Sequence, residues 1–314
     1  MQNIPSTVVV LGTGGTIAGT STDVSDNVGY TAGQLAASAL VQAIPALAEA
    51  ALEVEQLAQI DSKDMSHSVW AALARRCDHH LARPEVVGIV ITHGTDTLEE
   101  TAWFLQRLLA PGKPVVLTAA MRPATALLSD GPQNLLDAVA VARAQGAQGV
   151  VAVLCGRVHG ARDVRKIHPY RVDAFSSGDA GCIGVVEEGE LRLFRSWPQG
   201  DAIGIDVLPG DDSLWPRVEI VTSHAGAGGA IVRALCDGGV QGLVVAATGN
   251  GTLHAELESA LLDAHRKGVR VLRSTRCGNG RVLGDERAGL PSADDLTPVK
   301  ARVELMLRLM SNFR

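Results

Sequence analysis

Short apolar runs that alternate with segments of helical period constrain the fold of this chain most strongly. The first half contains four apolar runs with three helical patterns between them, at residues 8–11, 33–44, 86–92, 97–110, 115–118, 132–145 and 149–155. This alternation is typical of an α/β domain with a largely parallel sheet. Because the predicted strands are almost continuously apolar, we expect helices to cover both faces of that sheet.

The start of the second predicted helix carries a local signal of its own. Thr97 is followed three residues later by Glu100, ahead of the apolar residues Trp103, Leu105 and Leu108. This is the pattern of a capping box, in which the threonine hydroxyl accepts a hydrogen bond from an amide of the first helical turn. The pattern predicts that the helix begins at this threonine.

A stretch rich in Pro, Gly and Asp divides the chain into two parts. Residues 196–217 lack helical period and are predicted to be an interdomain linker. A second series of strands and helices follows, at residues 218–221, 229–237, 243–247, 253–267, 269–272 and 298–311. We therefore predict a larger N-terminal domain over residues 1–195, with a mostly parallel sheet flanked by helices, and a smaller C-terminal α/β domain over 218–314. The length of 314 residues agrees with this division at roughly 150 residues per domain.

Composition and charge exclude several classes of function. Hydrophobic residues make up 46% of the chain, which is enough to fill two cores and excludes a disordered chain. A net charge of -6 and only 3% aromatic residues argue against a nucleic-acid partner. The apolar runs are far shorter than the ~20 residues that cross a bilayer, so no membrane segment is expected. Residues 1–6 lack the features of a secretory signal, so we expect a cytoplasmic protein, with a processed periplasmic one as the alternative.

The cysteines give no sign of a disulfide framework or of a zinc site. Five cysteines are scattered along the chain without C-x-x-C spacing, at positions 77, 155, 182, 236 and 277. An odd number with such spacings is typical of reduced thiols, most of them buried. We therefore expect neither a metal site nor disulfide bonds.

A glycine-rich segment follows the first predicted strand. Residues 12–19 read GTGGTIAG, and their glycines allow the backbone to approach a ligand closely. Thr13 and Thr16 carry the only reactive side chains of this segment. A dinucleotide-binding fingerprint would require Gly or Ala where Ile17 stands, and no phosphate-binding loop motif occurs in the chain. A tight structural turn and a ligand-binding loop are equally compatible with the segment.

Two further polar segments follow the strands predicted at 86–92 and 149–155. In open parallel sheets, ligands bind beyond the carboxyl ends of the strands. There Thr95 and Asp96 stand at a predicted helix start, where the amides and the dipole keep a carboxylate ionised. They can hold an ammonium group, or Asp96 can simply cap the helix. If Lys166 approached both residues, the three would form a relay in which an amine acts as a base; a solvated surface is the alternative for this lysine.

Tyrosine is scarce, and one of the two tyrosines lies on a polar loop. Tyr30 follows the glycine-rich segment, whereas Tyr170 lies much later in the chain. A phenol on such a loop can exchange a hydrogen bond with a hydroxyl nucleophile. Packing over the loop is the alternative role, and the residues alone do not separate the two.

Several motifs together resemble those of the bacterial L-asparaginase family, whose members are amidohydrolases with a threonine nucleophile. The resemblance covers nearly the whole chain, and the motifs occur in the order of the family. They are TGGTIAG at 13–19, YTAG at 30–33, SKDM at 62–65, ITHGTDTLEET at 91–101, AAMRP at 119–123, SDGPQNL at 129–135 and GARDVRK at 160–166.

The resemblance implies a reaction and the residues that carry it out. It implies hydrolysis of L-asparagine to L-aspartate and ammonia through an acyl-enzyme, without a metal or an organic cofactor. Thr16 would be the nucleophile, and Tyr30 would assist its activation. Thr95, Asp96 and Lys166 would form a second triad.

The resemblance also implies how the substrate is bound. Ser62 would hold the α-carboxylate and Asp96 the α-ammonium group. The other expected contacts are Gly15, Asp61, Thr95, Ala120, Thr252 and Glu286. The chain departs from the commonest family pattern at Lys63, where a glutamine is frequent, and at Thr252, where an asparagine is frequent. Glu286 matches the acidic residue that a neighbouring subunit lends to the site.

The family further implies a homotetramer, built as a dimer of dimers with active sites completed across each dimer. Cys77 lacks the partner with which some periplasmic members form a disulfide. Glutamine is one methylene longer than asparagine, a difference worth only ~1–3 kcal/mol in a binding site, so weaker action on glutamine is expected. The alternatives are a related amidohydrolase that prefers glutamine or another amide, and a non-catalytic amino-acid-binding protein.

Overall fold

The computed structural model describes residues 6–284 and 289–312. The chain consists of two compact units that divide between Ile205 and Asp206. This division lies inside the stretch 196–217, whose sequence indicates a linker. The limits of that linker stay a prediction.

The first unit is built on a sheet of eight strands. Its elements in chain order are β1 (Thr7–Gly14), α1 (Ala37–Gln42), β2 (Leu52–Ile60), α2 (His67–Leu81), β3 (Val86–Thr92), α3 (Leu98–Leu109), β4 (Val115–Thr118), α4 (Gly131–Arg143), β5 (Val150–Leu154), β6 (Arg157–Gly160), β7 (Arg165–Lys166), β8 (Phe175–Ser176), β9 (Gly184–Glu187) and β10 (Glu190–Leu193). The sheet order is β10-β9-β6-β5-β4-β3-β1-β2, and β7 and β8 form a separate two-stranded hairpin. The pairs from β5 to β2 are parallel, whereas those from β5 to β10 are antiparallel.

The central strands are buried on both faces because their apolar runs do not alternate with polar residues. Val8 and Val10 of β1 belong to a core cluster that includes Leu135 and Ala138 of α4. The intervening Val9 is also fully buried. Since successive side chains of a strand point to opposite faces, both faces of β1 are covered. This confirms the predicted fold class.

The second unit is a smaller α/β unit with a parallel sheet. Its elements are β11 (Val218–Thr222), α5 (Ala230–Asp237), β12 (Gly242–Ala247), α6 (Ala255–Arg266), β13 (Arg270–Thr275) and α7 (Pro298–Asn312). The three strands pair in the order β11-β12-β13. Leu243, Val245 and Leu261 are fully buried in its core. In the parts of both units that the structure describes, no helix combines the length and the apolar character needed to span a bilayer.

Two local expectations are wrong. The first helix begins at Ala37, later than the predicted residue 33. Thr97 does precede α3, but its side chain makes no capping bond. Its hydroxyl instead donates to the Ser62 carbonyl oxygen at 2.8 Å, so the capping box does not form. The threonine thus connects two segments of the candidate site.

Candidate active site

Three segments meet at the carboxyl edge of the parallel strands. β1 lies between β2 and β3, with Gly14 paired to Ile60 and Gly12 paired to Thr92. Because parallel strands end at the same edge of a sheet, the residues that follow these three strands are brought together. The short 3-10 helices Thr16–Ala18 and Ser62–Asp64 begin there.

Two glycines allow these segments to approach each other at van der Waals distance. Gly15 has φ +80° and ψ -173°, a conformation nearly confined to glycine. A Cβ atom at this position would lie 2.8 Å from the His93 carbonyl carbon and would overlap Gly94. A Cβ atom at Gly94 would in turn lie 2.7 Å from the Ser62 Cβ atom. Gly15 therefore brings the segment that carries Thr16 against the segment that carries Thr95. Its predicted contact with the substrate stays a prediction.

The hydroxyl of Thr16 is paired with a phenol. Thr16 Oγ1 and Tyr30 OH lie 2.6 Å apart, and either atom can be the donor. Thr13 and Thr16 are both buried. The Thr13 hydroxyl donates to the Thr92 carbonyl oxygen at 2.9 Å. Thr13 therefore joins β1 to β3, and Thr16 is the hydroxyl of the glycine-rich segment that is paired with an ionisable group.

Tyr30 reaches Thr16 from a loop that returns over the glycine-rich segment. Residues 20–31 form this loop, here called the Tyr30 loop. Thr20 and Thr31 close its base with two backbone hydrogen bonds of 3.0 and 2.9 Å. The tyrosine ring lies over Gly19, where a Cβ atom would be 2.8 Å from the ring atom Cδ2. A larger residue at Gly19 would displace the ring from Thr16.

A second hydroxyl is paired with an amine and a carboxylate. Lys166 Nζ donates to Thr95 Oγ1 at 2.8 Å and to Asp96 Oδ1 at 2.6 Å. Lys166 lies on β7, in the hairpin that β8 completes. Its side chain is only 18% exposed, against 52% for Asp96, so the lysine is not part of a solvated surface. The structure thus brings together the three residues that the sequence proposes for a relay.

Ser62 lies beside this relay with its side chain buried. Its Oγ atom accepts a hydrogen bond of 3.1 Å from the backbone amide of Asp96. Because this bond uses a lone pair of the oxygen, the hydroxyl hydrogen can be directed to a ligand carboxylate.

The neighbouring residues Asp61 and Lys63 are paired with each other. The amide of Lys63 donates to Asp61 Oδ1 at 3.3 Å, and its ammonium group donates to Oδ2 at 2.6 Å. The hydrogen bond to Asp61 raises the pKa of Lys63, and the Asp61 carboxylate serves here as a helix cap and ion-pair partner.

A buried hydrogen-bonded chain supports the segment of Thr95 from behind. His93 Nδ1 lies 2.7 Å from the Gly94 carbonyl oxygen, so this nitrogen carries the hydrogen and donates it. The Thr101 hydroxyl then donates to Nε2 at 3.0 Å and accepts from the Trp70 indole at 2.9 Å. Burial lowers the pKa of His93 to about 4, so the ring is neutral. The sequence patterns did not indicate this series of hydrogen bonds, because Trp70 lies on α2, a helix that they did not predict.

Of the remaining predicted contact residues, one packs in the core of the first unit and another belongs to the second unit. Ala120, just after β4, is fully buried in the core cluster of the first unit. Thr252 belongs to the second unit, where its hydroxyl lies 2.9 Å from that of Thr248. Glu286 lies outside the described residues. Among the residues that the structure describes, no group of three or more His, Cys, Asp or Glu side chains could hold a metal ion.

The fold and these contacts are those of an α/β protein of the hydrolase class. Two threonine hydroxyls, each hydrogen-bonded to the ionisable side chain of another residue, lie at the carboxyl edge of a parallel sheet. A nucleophile within hydrogen-bond reach of an activating group is the signature of covalent acyl transfer.

Comparisons with known proteins agree with this class. Residues 7–199 match the family model "Asparaginase, N-terminal", and residues 217–313 match "Glutaminase/Asparaginase C-terminal domain". The chain is 37% identical to L-asparaginase 2 of Bacillus subtilis, over 98% of this chain and 83% of that protein. It is 35% identical to the glutaminase-asparaginase of Acinetobacter glutaminasificans, over 96% and 94% of the two chains.

A solved structure shows the same likeness. The crystal structure of the probable cytoplasmic L-asparaginase from Campylobacter jejuni matches with a TM-score of 0.91 and 39% identity, over 97% of this chain and 95% of that one. The chain belongs to the asparaginase family, as its motifs indicated.

Proposed function

We propose that this protein hydrolyses L-asparagine to L-aspartate and ammonia. The observation that carries the proposal is the convergence of two hydrogen-bonded threonine hydroxyls at one edge of the sheet. Thr16 is paired with Tyr30, and Thr95 is paired with Lys166, which also contacts Asp96. The two pairs are brought together by the close approach of Gly15, which precedes Thr16, to Gly94, which precedes Thr95. The names of the relatives, L-asparaginase and glutaminase-asparaginase, support the substrate class.

The substrate would be held by its zwitterionic end. The Ser62 hydroxyl donates to the α-carboxylate, and Asp96, half exposed beside it, accepts from the α-ammonium group. A site that satisfies both charges rejects amides that lack them, because its own polar groups would then stay unpaired. The side-chain amide is thereby directed towards the two threonines.

Acylation would begin at Thr16. Its oxygen attacks the side-chain amide carbon while the hydroxyl proton passes to the phenol oxygen of Tyr30, 2.6 Å away, and the phenol passes its own proton to the amide nitrogen. Backbone amides beside Thr16 and Thr95 stabilise the oxyanion of the tetrahedral intermediate, the contribution that is usually largest in acyl transfer. The amide nitrogen takes up a proton and leaves as ammonia, and an aspartyl ester on Thr16 remains.

Deacylation would use water and the second hydroxyl. As the free amine, Lys166 accepts a proton from Thr95, which in turn accepts one from the attacking water. Asp96 holds the lysine in place through the 2.6 Å contact. Hydrolysis of the ester releases aspartate and restores the Thr16 hydroxyl.

Weaker glutaminase activity is the second part of the proposal. The Acinetobacter relative is named for both activities, and an extra methylene changes binding by only ~1–3 kcal/mol. Side-by-side rates on asparagine, glutamine and a peptide-linked amide distinguish this substrate range from that of an amidase for larger amides.

The test is ammonia release by Thr16→Ala and Tyr30→Phe variants. We expect the first change to lower turnover of asparagine by about 10⁴-fold or more, with an unchanged thermal midpoint. Thr22→Val is the matched control, because Thr22 is an exposed threonine of the Tyr30 loop. Wild-type turnover in Thr16→Ala would remove Thr16 from the mechanism. Saturable binding of asparagine without turnover by the wild type would instead favour an amino-acid-binding protein.

The assembly and compartment complete the proposal. The family resemblance supports a homotetramer, and light scattering should give the mass of four chains of 32.8 kDa. All five cysteines are free thiols, which suits the reducing cytoplasm. Cell fractionation tests this location against the periplasm.

A further inference from the structure

The segment that joins β4 to α4 carries two sequence motifs that the proposed mechanism does not use. Residues 119–130, here called the β4–α4 segment, are closed by the carboxylate of Asp130. This carboxylate accepts from the backbone amides of Met121, at 3.1 and 3.0 Å, and Arg122, at 2.9 Å. It also accepts from Asn134 Nδ2 at 3.2 Å. Four contacts from one carboxylate fix the segment relative to α4.

One side chain of this segment holds the Tyr30 loop. Thr125 Oγ1 accepts from the amide of Ser21 at 2.8 Å and donates to the carbonyl oxygen of the same residue at 3.2 Å. The hydroxyl thus satisfies both backbone groups of Ser21 across 104 positions of sequence. Two backbone hydrogen bonds flank this contact, from Ala124 N to Gly19 O at 2.8 Å and from Leu127 N to Val24 O at 3.1 Å. The outgoing arm of the loop is therefore aligned on the β4–α4 segment.

A second side chain holds the hairpin of Lys166. Arg122 Nη1 donates to the Tyr170 carbonyl oxygen at 2.8 Å. The guanidinium carbon lies 4.2 Å from the centroid of the Tyr170 ring, within the range of a cation–π contact. Tyr170 lies in the turn between β7 and β8, and Lys166 is the last residue of β7. Arg122 therefore binds the hairpin four residues from the lysine.

The two contacts converge on the two activating groups of the site. The return arm of the Tyr30 loop brings the phenol to Thr16, and the hairpin brings the Lys166 nitrogen to Thr95. Thr125 and Arg122, which make the two contacts, both belong to the β4–α4 segment, which the Asp130 carboxylate fixes. Neither Thr125 nor Arg122 hydrogen-bonds to the threonines, so each would act through the element that it holds.

We propose that Thr125 and Arg122 are positioning residues that hold Tyr30 and Lys166, respectively, against the two threonines. This inference rests on the proposed function, in which those two side chains activate Thr16 and Thr95. Since a net hydrogen bond favours one arrangement by a factor of about 2–13, loss of either support should lower kcat/KM for asparagine about tenfold, mostly through kcat.

The experiment compares Thr125→Val and Arg122→Met with matched controls. Thr22→Val makes the first change at an exposed threonine, and Arg171→Met makes the second at an arginine that is ion-paired on the exposed face of the same hairpin. We expect both controls to stay within twofold of wild-type kcat/KM. Thr125→Ser should recover most of the activity lost in Thr125→Val, because it keeps the hydroxyl.

Amide hydrogen exchange gives a readout that does not depend on turnover. Exchange in residues 20–31 should accelerate about tenfold in Thr125→Val, and exchange in residues 167–174 should accelerate similarly in Arg122→Met. Each variant should leave the other segment unchanged. In the Tyr30→Phe background, Thr125→Val should cost no further activity.

The outcomes separate this inference from the proposed function. Wild-type kcat/KM and wild-type exchange in either variant would overturn the role of that residue. A loss in Thr125→Val that adds fully to the loss in Tyr30→Phe would also overturn it, since Thr125 would then act by another route. Retained turnover in Thr16→Ala would instead overturn the proposed function, whatever the exchange data show.

Discussion

The close approach of the two catalytic segments can be tested by adding one methyl group at Gly15. In Gly15→Ala the new Cβ atom would lie 2.8 Å from the His93 carbonyl carbon and closer still to Gly94. Carbon atoms are in favourable contact at ~3.5–4.0 Å, so the Gly94 segment would have to move by about 1 Å. The backbone conformation at Gly15 adds a cost of its own, about 1–3 kcal/mol for a side-chain-bearing residue.

These two costs set the expected magnitude. Overpacking a well-packed site costs about 1–3 kcal/mol, which with the backbone cost gives a loss of about 2–5 kcal/mol in the free energy of unfolding. A shift of about 1 Å between catalytic groups lowers the rate about 10²-fold. We therefore expect a destabilised protein whose turnover falls more than its folded fraction does.

Gly146→Ala is the matched control for this substitution. Gly146 also has a positive φ, +75°, but no atom lies within 4 Å of an added Cβ. The control should lose only about 1–2 kcal/mol, the cost of the left-handed backbone, and should keep its activity. Urea unfolding and ammonia release from asparagine measure both quantities. If Gly15→Ala matched Gly146→Ala in unfolding midpoint and in turnover, the contact between the two segments would not exist as described.

Three further perturbations test other parts of the structure. Lys166→Met should lower asparagine turnover, measured as ammonia release, about 10²–10⁴-fold. Unchanged turnover would show that the lysine has no catalytic role. The folded pKa of His93, about 4, lies below the ~6.5 of an unfolded histidine, so the unfolded chain binds more protons in this window. The free energy of unfolding should therefore fall by about 2–3 kcal/mol between pH 7 and 4.5, and urea unfolding of His93→Gln should show a smaller fall. Burial raises the pKa of Cys155 to about 11, whereas Cys277 is exposed. Peptide mass spectrometry after iodoacetamide at pH 8 should find Cys277 alkylated at least a hundredfold faster, and equal rates would contradict the burial of Cys155.

The strands that sequence predicts best are those buried on both faces. The apolar runs at 86–92 and 115–118 coincide with β3 and β4. β2 was missed because it lies at the edge of the sheet and alternates apolar residues with Glu53 and Glu55. The polar residues of β2 interrupt the continuous apolar run by which the neighbouring strands are recognised in the sequence. The helix that follows it, α2, was also not predicted.

The candidate site was predictable only in part. Thr16 and Thr95 stand out because each follows a buried strand, where ligand sites of parallel sheets lie. Their partners could not be derived from spacing, since Tyr30 and Lys166 lie 14 and 71 residues away along the chain. The resemblance to the family supplied those pairings, and the structure places the side chains within hydrogen-bond distance. The contact of Arg122 with the hairpin gave no signal in the sequence, because it depends on the path of two irregular segments.

The closed base of the Tyr30 loop has a consequence for how such an enzyme can diversify. Two backbone hydrogen bonds between Thr20 and Thr31 fix where the loop leaves and re-enters the body of the protein. Because backbone groups make this closure, residues 25–28 at the tip, beyond the Val24 contact with Leu127, can be lengthened, shortened or changed in charge without moving the ends. The tip can thus change in length and charge while Tyr30 stays beside Thr16.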